Sequence, residues 1–264
     1  MLKNEKLREK LRLVKLNTLK IIYNSKSSHI GSNFSCAHIL LYIFANYINK
    51  KSNYLILSKG HASAIYYSIL NSYKYLSKEK LFSFTKNNTY LSGHISKSVS
   101  KKIIYSSGSL GNGIGVGSGI TYNSLLKKDK KKCFVVISDG DLNEGSSWEA
   151  ILFAGHHKLK NLIVVLDSNK IQNIDKVKNV INLNKLKNKL KDFGWQTLKT
   201  DGHDFKKLGD CFIKAIKSKK PTFIEADTIK GKGVSFMENK ILWHYKNPNL
   251  REFNDAQLEL QNER

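Results

Sequence analysis

Two apolar runs, each ending in a polar turn, constrain this chain more than any other feature. Cys133-Phe134-Val135-Val136-Ile137 leads into Ser138-Asp139-Gly140-Asp141-Leu142-Asn143-Glu144-Gly145, and Leu162-Ile163-Val164-Val165-Leu166 leads into Asp167-Ser168-Asn169. Short continuous apolar runs bounded by turn residues read as parallel strands buried on both faces. Trp148 to His157, between them, reads as the crossover helix of a strand–turn–helix–strand unit. Such a unit sets oxygen-bearing side chains at the carboxyl ends of its strands, where open α/β sheets bind ligands. Asp139 and Asn169, thirty positions apart, are then able to meet over one hard cation. A carboxylate, an amide oxygen, a backbone carbonyl and two diphosphate oxygens suit octahedral Mg2+. The pattern suggests a metal-clamped diphosphate; an ordinary acidic turn followed by a strand-end Asn is the plainer alternative.

The remaining periodicity predicts helices over about 4–23, 35–49, 61–73, 78–84, 112–127, 184–193 and 204–217. Further strands are expected at Tyr54–Leu57, Trp195–Leu198 and Thr222–Ala226, followed by a tail carrying Trp243-His244. Strands separated by helices argue for one doubly wound, mainly parallel α/β sheet, with N-terminal helices packed against its side. The chain has 264 residues, no internal repeat and only two prolines, which favours a single domain over residues 1–264.

The net charge of +24 raises nucleic-acid binding as a function. Of the 45 basic residues, however, only Arg8, Arg12, Arg251 and Arg264 are arginine, and the lysines are spread along the chain. Bidentate recognition of bases and phosphates favours Arg, so no specific nucleic-acid role is expected. No apolar stretch is long enough for a membrane span, and Met1 to Lys20 is charged throughout, unlike a secretory signal. Cys36, Cys133 and Cys211 lack metal-ligand spacing and read as reduced thiols of a cytoplasmic protein.

Six separated segments carry a family resemblance. They are Ser28-His29-Ile30-Gly31-Ser32, Ser58-Lys59-Gly60-His61-Ala62, Gly93-His94 and Gly108-Ser109-Leu110-Gly111-Asn112-Gly113. The other two are the Asp139-to-Asn169 unit and Lys230-Gly231-Lys232-Gly233 with Trp243-His244. Lys59, at a strand end that opens a helix, makes a ready anion site on its own chemistry. The glycines at 108–117 do not have dinucleotide spacing and read as a tight loop entering a closely packed helix. In this order the segments resemble transketolase across roughly residues 20 to 250, and specifically its thiamine-diphosphate-binding half. Five positions depart from the family's pattern: Ser138 for Gly, Ile30 for Pro, Ile95-Ser96 for Pro-Glu, and Asn112 for Gln.

The resemblance implies a division of labour. Asp139, Asn169 and the Ile171 carbonyl would hold Mg2+, with Ca2+ or Mn2+ as substitutes. Lys59, His61, Gly140, Lys230 and His244 would hold the diphosphate, and Gly108, Ser109 and Leu110 the aminopyrimidine ring. His29, Ser32, His94 and His244 would face the sugar phosphate, with the three histidines as catalytic candidates. The family's pyrimidine-binding and C-terminal domains have no counterpart in this sequence. The resemblance therefore implies one subunit of a split transketolase in the pentose phosphate pathway, active with a C-terminal partner subunit in an α2β2 assembly. Glu144 reads as an interface or structural carboxylate. Asp201-Gly202-His203-Asp204 reads as a structural turn, and His156 and His157 as packing or surface residues. The alternatives are another thiamine-diphosphate ketol transferase or synthase for an unusual sugar, a non-catalytic cofactor-binding regulatory subunit, and a basic polyanion-binding protein.

Overall fold

The computed structural model describes residues 4–262; the parts of the sequence expectations that touch Met1–Lys3 and Glu263–Arg264 lie outside the described residues. Five strands, β1 (Tyr54–Leu57), β2 (Cys133–Ser138), β3 (Leu162–Ser168), β4 (Gln196–Asp201) and β5 (Thr222–Asp227), form one sheet in the order β1-β2-β3-β5-β4. Every neighbouring pair is parallel, so all five carboxyl ends fall along one edge.

The helices are α1 (Asn4–Ser25), α2 (Ile30–Ser35), α3 (Ala37–Ile43), α4 (Ser63–Ser72), α5 (Lys78–Phe82) and α6 (Asn112–Leu126). After them come α7 (Gly145–His156), α8 (Val177–Val180), α9 (Leu186–Asp192), α10 (Phe205–Lys217) and α11 (Leu250–Asn262). The two-residue alternation of the central strands divides the core. Phe134, Val136, Ile163 and Val165 join the cluster built with α1, α3, α4 and α10. Val135, Ile137, Leu162, Val164 and Leu166 join the cluster built with α6, α7 and α9. Both faces are thus covered, which is why β2 up to Ile137 and β3 up to Leu166 are apolar without a polar alternate. On α6, Gly117 lets the helix lie close on the sheet, since a Cβ there would come within 2.6 Å of the Val135 side chain.

Two expectations need correction. The helix expected at 35–49 is divided: Cys36, at φ −92° and ψ 6°, separates α2 from α3, and Phe44–Ile48 widens into a π turn. The expected tail contains α11, whose start is capped reciprocally by Asn249 and Glu252: the Glu252 amide donates to Asn249 Oδ1 at 2.9 Å, and the Asn249 amide to Glu252 Oε2 at 2.9 Å. Its Ala256 and Leu260 are buried, and Phe253 stacks on Tyr23 of α1 at 4.3 Å. The helical period was present in the sequence, hidden by the polar and charged residues between its core-facing positions Phe253, Ala256 and Leu260. Among the described residues no helix is long and apolar enough to cross a membrane.

Candidate active site

The carboxyl edge of the sheet gathers the residues singled out in the sequence. β1 ends at Ser58 and Lys59, and a 3-10 turn at Gly60–Ala62 then presents His61. β2 delivers Asp139 and Gly140, and β3 delivers Asn169 with Ile171 just beyond. The loop between α1 and α2 contributes His29 and Ser32, the loop before α6 contributes His94, Gly108 and Leu110, and a turn at Ile241–His244 contributes His244. All but the buried Ser58 line one cleft of about 220 Å3, together with Ser138, Gln172 and Asn173. Lys230 closes its edge, donating to the Gln172 carbonyl at 3.0 Å, approaching the Ile171 carbonyl at 3.5 Å and lying 3.2 Å from His244 Nδ1. Ser109 is the exception: it is exposed at the rim and does not line the cleft.

Four imidazoles converge there. His29 lies 5.3 Å from His61, 5.9 Å from His94 and 4.8 Å from His244, ring centre to ring centre. His29 adopts φ 71°, a left-handed backbone held by its amide donating to the His244 carbonyl at 2.9 Å. Burial, followed by His94, pulls His29 down to about 4, while burial and Lys230 pull His244 down to about 3. Burial and Lys59 hold His61 well below the ordinary range. These three rings are therefore neutral at pH 7. An ammonium is only a donor, so Lys230 makes His244 Nδ1 an acceptor and leaves its proton on Nε2.

Lys59 and Lys230 are each only 1% exposed. Lys59 is paired with Asp167 and donates to the Ser32 carbonyl at 3.3 Å. Burial alone would lower it, but Asp167 outweighs burial and holds the ammonium up to about 12. Lys230 lacks such a carboxylate, and burial followed by Lys59 lowers it to about 8. Two buried ammonium groups beside neutral imidazoles form a cradle suited to a polyanion.

Asp139 presents the opposite problem. It is 4% exposed and accepts a bond from the Lys170 amide at 3.2 Å. Burial, then Asp167, pushes it up to about 7, as expected of a desolvated carboxylate short of positive charge. Asn169 Oδ1 accepts from the Ile171 amide at 3.0 Å, and its Nδ2 donates to Ser35 Oγ at 3.0 Å, which fixes the amide orientation. Among the described residues no group of three His, Cys, Asp or Glu side chains is placed to hold a metal. One carboxylate with amide and carbonyl oxygens is instead a donor set for a hard cation that takes its remaining ligands from phosphate or water.

Sequence reasoning assigned no role to Asp167 or Asp141, yet both organise the site. Asp167 accepts from Ser35 Oγ at 2.7 Å and Thr228 Oγ1 at 2.5 Å in addition to Lys59. Asp141 accepts from Ser58 Oγ at 2.5 Å, the Gly111 amide at 3.0 Å, and the Ser138 amide and hydroxyl at 2.8 Å each. That ties the turn after β2 to the turn after β1 and to the glycine loop. Each was visible as a strand-end carboxylate, but its partners lie elsewhere in the chain.

The departures from the family pattern fit this geometry. Ser138 sits at φ −104° and ψ 169°, an extended backbone that needs no glycine, and its hydroxyl caps the turn. Ile30 opens α2, where a first-turn amide has no helical partner in any case. Ile95 is 2% exposed, and its amide donates to the Gly60 carbonyl at 3.0 Å, a bond proline is unable to make. His157 packs on Tyr122 at 4.9 Å, as a packing residue should, and Glu144 is exposed.

A parallel sheet gathering lysines, histidines and oxygen donors at one edge defines an α/β domain of the thiamine-diphosphate-binding class. The family model described as "Transketolase, thiamine diphosphate binding domain" matches residues 5–251, and the chain belongs to that family. An apulose-4-phosphate transketolase subunit from Actinobacillus succinogenes is 30% identical, over 98% of this chain and 97% of its own length. Human transketolase is also 30% identical, but the match spans 92% of this chain and only 40% of that protein. The crystal structure of Campylobacter jejuni transketolase superposes with a TM-score of 0.92 at 27% identity, covering 98% of this chain and 43% of that one.

Proposed function

We propose that this chain is the diphosphate-binding subunit of a two-chain transketolase, moving a two-carbon ketol unit from a ketose phosphate to an aldose phosphate. The observation that carries the reading is the convergence of Lys59, Lys230, Asp139, Asn169 and four histidines on one cleft at the strand ends. The length match to a relative named as a subunit supports the two-chain arrangement.

Thiamine diphosphate, when bound, supplies the electron sink that the transfer of a carbanion equivalent requires. In this reading Asp139, Asn169 Oδ1 and the Ile171 carbonyl hold Mg2+, with Ca2+ or Mn2+ able to substitute. Lys59, His61, Lys230 and His244 neutralise and hydrogen-bond the diphosphate, and Gly140 leaves room for it. The backbone at Gly108, Ser109 and Leu110 supports the aminopyrimidine ring. Neutral His29 and His244, together with His94, face the sugar, donating to or accepting from its hydroxyls as protons move. The partner subunit brings the acid that activates the aminopyrimidine and most groups for the sugar phosphate. We place the pair in an α2β2 assembly in the cytoplasm.

A second reading keeps the chemistry and changes the sugar. The relative named for apulose 4-phosphate matches 98% of this chain over 97% of its own length, which favours that sugar phosphate as substrate. Co-expression with a candidate pyrimidine-domain chain, followed by a transfer assay from xylulose 5-phosphate to ribose 5-phosphate, tests the first reading. Activity that needs both chains and disappears with Asp139→Ala supports it. A stable, cofactor-loaded complex that acts only on apulose 4-phosphate selects the second, and one that transfers nothing points to a regulatory subunit.

A further inference from the structure

A larger cavity, of about 550 Å3, lies outside the cofactor cleft and shares no lining residue with it. Its wall draws on four separate parts of the fold: Arg8 and Arg12 from α1, His38 from α3, His203 and Lys206 from the turn and first residues of α10, and Lys232 from the loop after β5. Only four arginines occur in the whole sequence, and two of them, one helical turn apart, meet here. Arginine is the side chain best suited to forked recognition of phosphate oxygens.

Three acidic residues near the wall are already engaged. Asp204, on the cavity wall, accepts from the amides of Lys206 and Lys207 at 2.8 and 3.1 Å, capping α10. Asp201 accepts from the His203 amide at 2.9 Å and faces Lys207 at 3.5 Å. Glu238 pairs with Lys232 at 3.2 Å. Arg8 has no carboxylate partner among the described residues.

The histidine pair adds a fixed donor. The Ile229 amide donates to His203 Nε2 at 2.8 Å, so the neutral ring carries its proton on Nδ1. That proton is directed at His38 Nδ1, 3.2 Å away, which leaves Nε2 as the N–H of His38, a residue that lines the cavity. Burial and the cations facing this ring, Lys15, Lys232 and Arg8, together with His203, keep His38 unprotonated. Lys15, Lys232 and Arg8 thus add a positive field at this ring, which a bound anion relieves.

We propose that this cavity is a second binding site for a small phosphate-bearing anion, gripped by Arg8 and Lys206, flanked by Arg12 and Lys232, and contacted by the His38–His203 pair. The site is independent of the function assigned to the cofactor cleft, because its residues and its ligand contacts are separate.

The test uses the full chain with nitrogen-15-labelled arginine and histidine, followed by NMR at constant ionic strength. Inorganic phosphate, ribose 5-phosphate and unphosphorylated ribose are the probes. The Arg8 Nε and the His38 and His203 ring signals are expected to shift saturably with both phosphates and not with ribose. Arg8→Gln with Lys206→Gln, both on exposed positions, should weaken phosphate binding about tenfold or more with an unchanged melting temperature. Lys86→Gln with Lys127→Gln, equally exposed and outside the cavity, should leave it unchanged. Shifts that never saturate, equal weakening in the control pair, or full affinity in the cavity variant would overturn the proposal, since each means bulk attraction to a basic surface.

Discussion

The Lys59 ammonium, carried by the turn after β1, is paired with the Asp167 carboxylate of β3, and neither side chain is more than 1% exposed. The pair is separated by 108 positions in sequence. It sets one wall of the cofactor cleft, because Asp167 also positions Ser35 and Thr228, and Ser35 in turn holds the Asn169 amide.

Asp167→Asn leaves a buried ammonium without its counter-charge, and should cost about 3–5 kcal/mol of folding stability. Lys59→Met combined with Asp167→Asn removes both charges and should recover much of that loss. Thiamine-diphosphate affinity should stay low in both. Urea unfolding together with calorimetric titration of the cofactor separates the two effects; a double variant no more stable than the single one would contradict the pairing argument.

Asp139→Asn removes a desolvated carboxylate rather than a stabilising one. Without cofactor, the variant should be as stable as the parent at pH 8 or slightly more so, since the buried charge is poorly compensated. The stabilisation that thiamine diphosphate with Mg2+ gives the parent, about 2.7 kcal/mol at a hundredfold excess over Kd, should vanish. Thermal melts with and without both ligands provide the check.

Ser138→Gly restores the residue usual in the family and is nonetheless expected to destabilise by about 1–2 kcal/mol, through a lost capping bond and a more flexible unfolded chain. Asp141→Ala strands two hydroxyls and two amides at once and should cost more, about 3 kcal/mol or above. Chemical denaturation ranks the two; the reverse order would mean that the clamp between the three loops is unimportant.

His203 is one source of the pH dependence, alongside His29, His38, His61 and His244, which burial lowers in the same direction. Burial lowers it from 6.5 to about 4, so the folded chain refuses a proton that the unfolded chain accepts. Its contribution is complete above about pH 6.5 and declines as pH falls towards 4, by roughly 1.4 kcal/mol per unit at most. His203→Gln should flatten the acid limb of a melting-temperature profile relative to the parent. Parallel profiles between pH 7 and 4.5 would rule out this ring as a source of the acid sensitivity.

The legible part of this protein was local in origin. β1 was placed at its observed bounds, and β2 and β3 within two residues of theirs, because a strand covered on both faces has to be apolar at every position. Asp139, Asn169 and His61 were legible for a related reason, since each sits in a short turn just after such a strand; His29, His94 and His244 lie in loops away from the strands and were singled out only through the family segments. The break at Cys36 was not, because α2 and α3 are both buried throughout and their apolar pattern runs through it.

Sequence alone therefore determined the alternation of strand and helix, the sheet's parallel character and the chemical types available at its edge, all of which follow from periodicities of a few residues. Tertiary structure decided the insertion of β5 between β3 and β4, the pairing of Lys59 with Asp167, and the clamp of Asp141 on three loops. It also brought Arg8, Lys206 and the His38–His203 pair around one cavity. The physical reason is that a buried charge or an unpaired donor accepts whatever partner the packing brings within about 3 Å, and no spacing along the chain encodes that meeting.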